Sequence, residues 1–150
     1  MSSMFPSENA SLRTVLPYPA VVVHDLAQAR AALCEGLALT LLSAPGAACF
    51  AGAGWWRALI DMARAAHPHT PCQDVLDCAD APGHAMAAVR LGQAILVLDP
   101  ACPAFARVAA LAAVLPSRPP PRGRAEPGAA RRLRAWLCQQ PDDDSRAALR

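Results

Sequence analysis

Lysine is missing from the chain: all 14 basic side chains among its 150 residues are arginines. That absence removes the amine required for a Schiff-base nucleophile, for a pyridoxal phosphate anchor and for a Walker-A phosphate loop. No pyridoxal phosphate and no Walker-A nucleotide site are therefore expected; the cofactor, if there is one, is otherwise unknown. Charged residues as a whole are scarce, at 17%, and the formal net charge is only +2. A strongly basic nucleic-acid domain is not indicated. No apolar run approaches the roughly 18 residues that a membrane-spanning helix needs. The N-terminal stretch "MSSMFPSENASLR" has neither a basic nor an apolar leader region, so the expectation is a soluble cytoplasmic protein without membrane attachment. No two of the six cysteines are spaced C-x-x-C. That spacing argues against a structural zinc site, and so large an apolar fraction argues against a secreted disulfide framework. Reduced thiols and no bound metal are expected.

What is present is apolar. Hydrophobic residues make up 54% of the chain, enough for one domain with a substantial core. The all-arginine basic set beside abundant alanine fits a GC-rich bacterial coding bias. Charge divides unevenly. Residues 1–115 carry six Arg against eight acids, and residues 116–150 carry eight Arg against four.

Hydrophobic patterning predicts four β-α units. "PAVVVHD" reads as a β-branched strand near 20–24, followed by a helix in "DLAQARAALCEG" with Asp25 as N-cap and Gly36 at its C-terminal end. "LALTLL" is an uncharged run, as expected of a parallel strand covered on both faces. "WWRALIDMARAAHP" is a helix on which Arg57, Asp61 and Arg64 share a wet face, stopped by Pro68. "CQDVLDC" is a third strand. "DAPGHAMAAVRLG" is a helix with Asp80 as a candidate cap and Gly92 at its end. "QAILVLDP" is a fourth strand, and "CPAFARVAALAAVL" a fourth helix ending before Pro116. Strands alternating with helices of this length imply right-handed crossovers and a mainly parallel sheet, either open and doubly wound or half-barrel-like.

The domain reading follows: a lead-in over 1–17, an α/β domain over 18–115, a Pro/Arg-rich linker over 116–128, and a C-terminal helix and tail over 129–150. Leu133, Trp136 and Leu137 form an apolar stripe in that last segment, beside Arg131, Arg132 and Arg134.

In parallel α/β sheets ligands bind beyond the carboxyl ends of the strands. The residues expected there are Ser43, Gly46, Asp77, Asp80, His84 and Asp99. Three carboxylates close together, Asp77, Asp80 and Asp99, would suit acid–base work or could hold a hard cation, although capping alone would explain Asp80. The glycine-rich stretch "SAPGAACFAGAGWW" lies between a buried strand and a helix N-terminus. Gly46, Gly52 and Gly54 are candidates for an anion cradle there. The stretch matches neither phosphate-loop pattern, and its glycines equally serve positive φ and close packing. His67 and His69 read as loop residues.

Residues 20–47, "AVVVHDLAQARAALCEGLALTLLSAPGA", resemble the opening β-α-β of bacterial keto-deoxy-phosphogluconate aldolases, which are β/α barrels. The resemblance implies a half-barrel as an alternative to an open sheet. It does not imply aldolase activity. Those enzymes use a catalytic lysine, absent here, and a glutamate on the second strand, where this chain has Thr40 or Leu41.

Two functional expectations result. One is binding of a small polar or phosphorylated metabolite at the strand ends, with catalytic residues unknown. The other is a non-catalytic protein-interaction or dimerisation module using a sheet face and the basic C-terminal helix. Open sheet edges favour a homo-oligomer, most simply a dimer. A nucleic-acid role rests only on the Arg-rich segment 118–134 and is not favoured.

Overall fold

The computed structural model describes residues 16–121. The anticipated tail helix and most of the anticipated linker lie outside the described residues. The elements are β1 (Ala20–Val22), α1 (Leu26–Leu33), β2 (Leu39–Leu42), α2 (Ala47–Phe50), α3 (Ala53–Ala66), β3 (Cys72–Asp77), α4 (Pro82–Arg90), β4 (Ile95–Val97), α5 (Phe105–Ala109) and β5 (Ala113–Leu115). The five strands form one sheet in the order β1-β2-β3-β4-β5, and every neighbouring pair is parallel. The α/β class and the parallel sheet expected from sequence are therefore present.

Strand side chains alternate between the two faces. Val21, Val23, Leu39, Leu41, Leu76, Cys78, Leu96 and Leu98 join one buried cluster with Ala29 and Leu33 of α1, Ala48 of α2, Trp56 and Ile60 of α3, Ala85 of α4 and Val108 of α5. All five helices thus pack on the same face. The opposite face carries a separate cluster of Val22, Leu42, Val75, Ile95, Val97 and Leu115, with Leu16 and Ala113 against it. Among the described residues the strand order never reverses, so they form no switch-point crevice of a doubly wound sheet.

Local signals account for most of the boundaries. The Asp25 carboxylate accepts the Gln28 N–H at 2.8 Å and starts α1. Pro82 begins α4, where its missing N–H costs nothing. Gly92 follows the α4 cap at φ +86, a left-handed turn that glycine adopts without strain.

Three sequence expectations are corrected. The segment read as a fourth helix up to residue 115 holds a helix of only five residues, Phe105–Ala109, and then a fifth strand. A tight turn in which Leu111 and Ala112 both donate to the Val108 carbonyl ends the helix. The chain then adds a ladder to β4 through Ala113 N–H to Ala94 O, 3.0 Å, and Leu98 N–H to Leu115 O, 3.1 Å. Pairing buries Leu115, which continued helix would leave outside the sheet. Asp80 does not cap α4. The N-cap residue is Ala81, without a side-chain hydrogen bond, and Asp80 is exposed in the preceding turn. Finally, the expected wet face of α3 is wet only in part: Asp61 is exposed, whereas the Arg57 and Arg64 guanidinium groups reach the buried Asp74.

Candidate functional site

The carboxyl rim is built around Ser43 and Asp77. Beyond Leu42 the parallel ladder continues with Ser43 N–H donating to Val75 O at 3.1 Å. The next ladder bond would run from Asp77 N–H to the Ser43 carbonyl. Instead Asp77 N–H donates to the Ser43 hydroxyl at 2.9 Å, and that hydroxyl donates to Ala44 O at 3.1 Å. The Ser43 carbonyl is thereby released, and Arg118 takes it at 3.0 Å.

Arg118 also pairs with the buried Asp77 carboxylate at 2.6 Å, while the second Asp77 oxygen accepts Ala79 N–H at 2.8 Å. Asp77 lies two residues beyond Val75 and so shares the face turned away from the helices. Arg118 stands three residues after β5 yet reaches β3 and the end of β2. The chain therefore turns back across the rim instead of starting another unit, and Pro119 beside it is buried. Sequence reading placed both residues in a linker and missed this contact; one arginine among prolines carries no signal for it.

The remaining candidates do not converge on this cluster. Asp99 is exposed and accepts Ala101 N–H at 2.8 Å, closing a local turn. Asp80 and His84 are exposed. Gly46 and Gly52 have positive φ, +65 and +87, and Gly54 does not. The first two serve the backbone turns that frame the four-residue α2. Among the described residues no three His, Cys, Asp or Glu side chains stand close enough to hold a metal. Burial pushes the Cys78 thiol up to about 12, with the neighbouring Asp77 and Cys49 charges adding to it. Burial also raises Cys72, against the opposing pull of Arg64. Neither thiol has the lowered pKa of a nucleophile.

A second polar cluster lies under the helices. Asp74 of β3 is buried on the helix-covered face. It accepts Trp56 Nε1–H at 3.0 Å, Arg64 Nη2 at 2.9 Å and Gln93 Nε2 at 2.9 Å, with Arg57 Nη2 at 3.6 Å. Arg57 also meets Asp61 at 3.2 Å. A carboxylate in the middle of a strand bound for the core demands a cation, and Asp74 in "CQDVLDC" was the available signal.

This pairing draws one edge of α3 inward. Arg57 and Arg64 turn toward Asp74, Arg64 keeping 39% of its side chain exposed. The side facing solvent carries Gly54, Trp55, Ala58, Asp61, Met62, Ala65 and Ala66. Trp55 is 39% exposed and Met62 51%, and Phe50 just before the helix is 71% exposed.

No family model, curated protein or solved structure matches the chain.

Among the described residues no helix is long and apolar enough to cross a membrane.

Proposed function

We propose that the chain is a non-catalytic association module, a one-sided α/β unit that offers the outward face of α3 to another polypeptide. The observation that carries this reading is the pair of exposed large apolar side chains on α3, Trp55 and Met62, with Phe50 just before the helix. The inner side of α3 is filled by Trp56, Leu59, Ile60 and Ala63, so these outward groups are not needed for the core, and exposed apolar surface marks interaction sites.

The metabolite reading has less support. Its principal acid, Asp77, is already neutralised by Arg118, and Asp99 is spent on a turn. Both arrangements stabilise loops without leaving a free polar group aimed at a shared space.

Photo-cross-linking in cells separates the two. A photoreactive residue placed at Met62 is expected to form cross-links to protein that disappear when Trp55 is also changed to Ser, while one placed at Asp80 forms none. Absence of cross-links from position 62 would contradict the association reading. A thermal screen of phosphorylated metabolites supplies the counter-test. A compound that raises the melting temperature of the native chain but not of Arg118→Gln would move the function to the rim.

A further inference from the structure

We infer that the C-terminal segment docks, within the same molecule, on the sheet face opposite the helices, through the stripe Leu133, Trp136 and Leu137. Val22, Leu42, Val75, Ile95, Val97 and Leu115 form the apolar cluster of that face. Leu42 and Val75 lie on the central strands β2 and β3 and are fully buried. Yet all five described helices pack on the other side. Outside the strands the cluster gains Leu16, and one leucine cannot cover a five-stranded sheet. The described unit is one-sided in its helices but not in its burial. Parallel sheets occur almost only with both faces covered.

The path of the chain selects the occupant. Leu16 precedes β1, an edge strand, so the lead-in approaches from the margin of the sheet. After β5 the chain returns instead to the middle. Arg118 bonds the Ser43 carbonyl beyond β2 and the Asp77 carboxylate at the end of β3. Asp77 shares the helix-free face, and Pro119, next after Arg118, is buried. The C-terminal segment therefore sets out from the centre of the apolar face.

Reach and chemistry agree. From Pro119 to Ala129 the chain advances ten residues, about 31 Å in the extended geometry that its prolines favour. Five strands span about 19 Å from edge to edge, so every part of the face is within reach. In the helix expected from sequence, Leu133, Trp136 and Leu137 share one side, and Arg131 falls on the other. Ala129 to Leu137 covers about 12 Å, enough to cross the three central strands. The lead-in has no comparable stripe. Arg132 and Arg134 flank the stripe and carry donors to this face. There Gln73 Oε1, two residues before Val75, is buried and has no hydrogen-bond partner among the described residues. This face and the outward side of α3 lie on opposite sides of the sheet, so the association reading does not depend on the docking.

Photo-cross-linking of the purified full chain at low concentration tests the proposal. A photoreactive phenylalanine derivative replacing Trp136 should link within the monomer to Leu42, Val75 or Val97, as mapped by mass spectrometry after cleavage at arginine. The same group at Arg131 should link to none of the three, and denaturant should abolish the links from position 136. Links from position 136 only to a second copy, or none at all, would overturn the proposal. So would links to these strands from position 5 in the lead-in but not from 136. Links from 136 to Trp55 or Met62 would overturn it and the association reading together, because the segment would then cover α3.

Thermal melting of the full chain is the independent readout. Trp136→Ala should lower the melting temperature by roughly 10 °C, and Arg131→Ala should leave it unchanged. A melt indifferent to Trp136→Ala would overturn the docking.

Discussion

Asp74 decides which way α3 faces. Its carboxylate is the common acceptor for Trp56, Arg64 and Gln93, and it lies within ionic reach of Arg57. Replacing it with Asn keeps the shape, takes the counter-charge from Arg64 and leaves Arg57 with Asp61 alone. Urea unfolding of Asp74→Asn should show a loss of about 3 kcal/mol, the low end for breaking a buried pair because Arg64 keeps a solvated side. A change below about 0.5 kcal/mol would mean that the arginines are held by something else.

Cys78 supplies the pH-dependent counterpart. Its thiol is pushed up to about 12 in the folded chain, against an ordinary value of 9.0. The folded state therefore keeps its proton where the unfolded chain has lost it. This contribution is complete below pH 9.0 and is lost as pH rises toward 12. Cys78→Ala should show a flatter decline across that window. At pH 8, alkylation followed by mass spectrometry should label the exposed Cys34 and Cys49 while sparing Cys78 until denaturant is added.

At the scale of elements, the glycine stretch before α3 shows how one run of similar residues divides into different duties. Gly52 holds φ +87 and ψ 157 at the N-cap of α3, a region essentially closed to other residues. Nothing stands within 4 Å of a Cβ there, so Gly52→Ala should cost about 1–3 kcal/mol through backbone strain alone. Gly54 sits inside the first turn without positive φ and equally without neighbours. Gly54→Ala should therefore raise stability by about 0.5–1 kcal/mol. Thermal unfolding of the two variants should move in opposite directions; movement in the same direction would mean that the stretch is not set as described.

Seven of the ten elements were legible because each carried a periodic apolar run with punctuation at its ends. Asp25, Pro68, Pro82 and Gly92 mark boundaries that the structure uses. β5 was not legible. "AAVL" continues an alanine-rich helical pattern, and only pairing with Ala94 and Leu98 of the neighbouring segment makes it a strand. The rim residues Ser43 and Asp77 were found by the strand-end rule, and they do touch. Arg118, which binds both, was hidden because its contact spans 41 residues. The wet face of α3 was correctly grouped and is wet in part, at Asp61 and along Arg64. Periodicity places Arg57, Asp61 and Arg64 on one side but does not say that a buried aspartate will draw two of them inward.

At the scale of the molecule, an all-parallel sheet with the helices of the described residues on one face leaves the layer asymmetric. The inner face is packed around Val22, Leu42, Val75 and Val97, and the strap through Arg118 fastens across its carboxyl rim. The helical face ends in solvent at α3, where Trp55 and Met62 are the largest apolar groups. Cover over that helix, by whatever polypeptide supplies it, is the proposition on which the functional reading stands. Oxidation of Met62 by dilute hydrogen peroxide, followed by mass spectrometry, tests it most directly, since sulfoxide formation tracks exposure of the thioether. With half-buried Met86 as internal reference, Met62 should be protected in intact cells and become the faster of the two in the purified, diluted protein. Oxidation of Met62 ahead of Met86 in intact cells as well would show a bare helix and contradict the proposal.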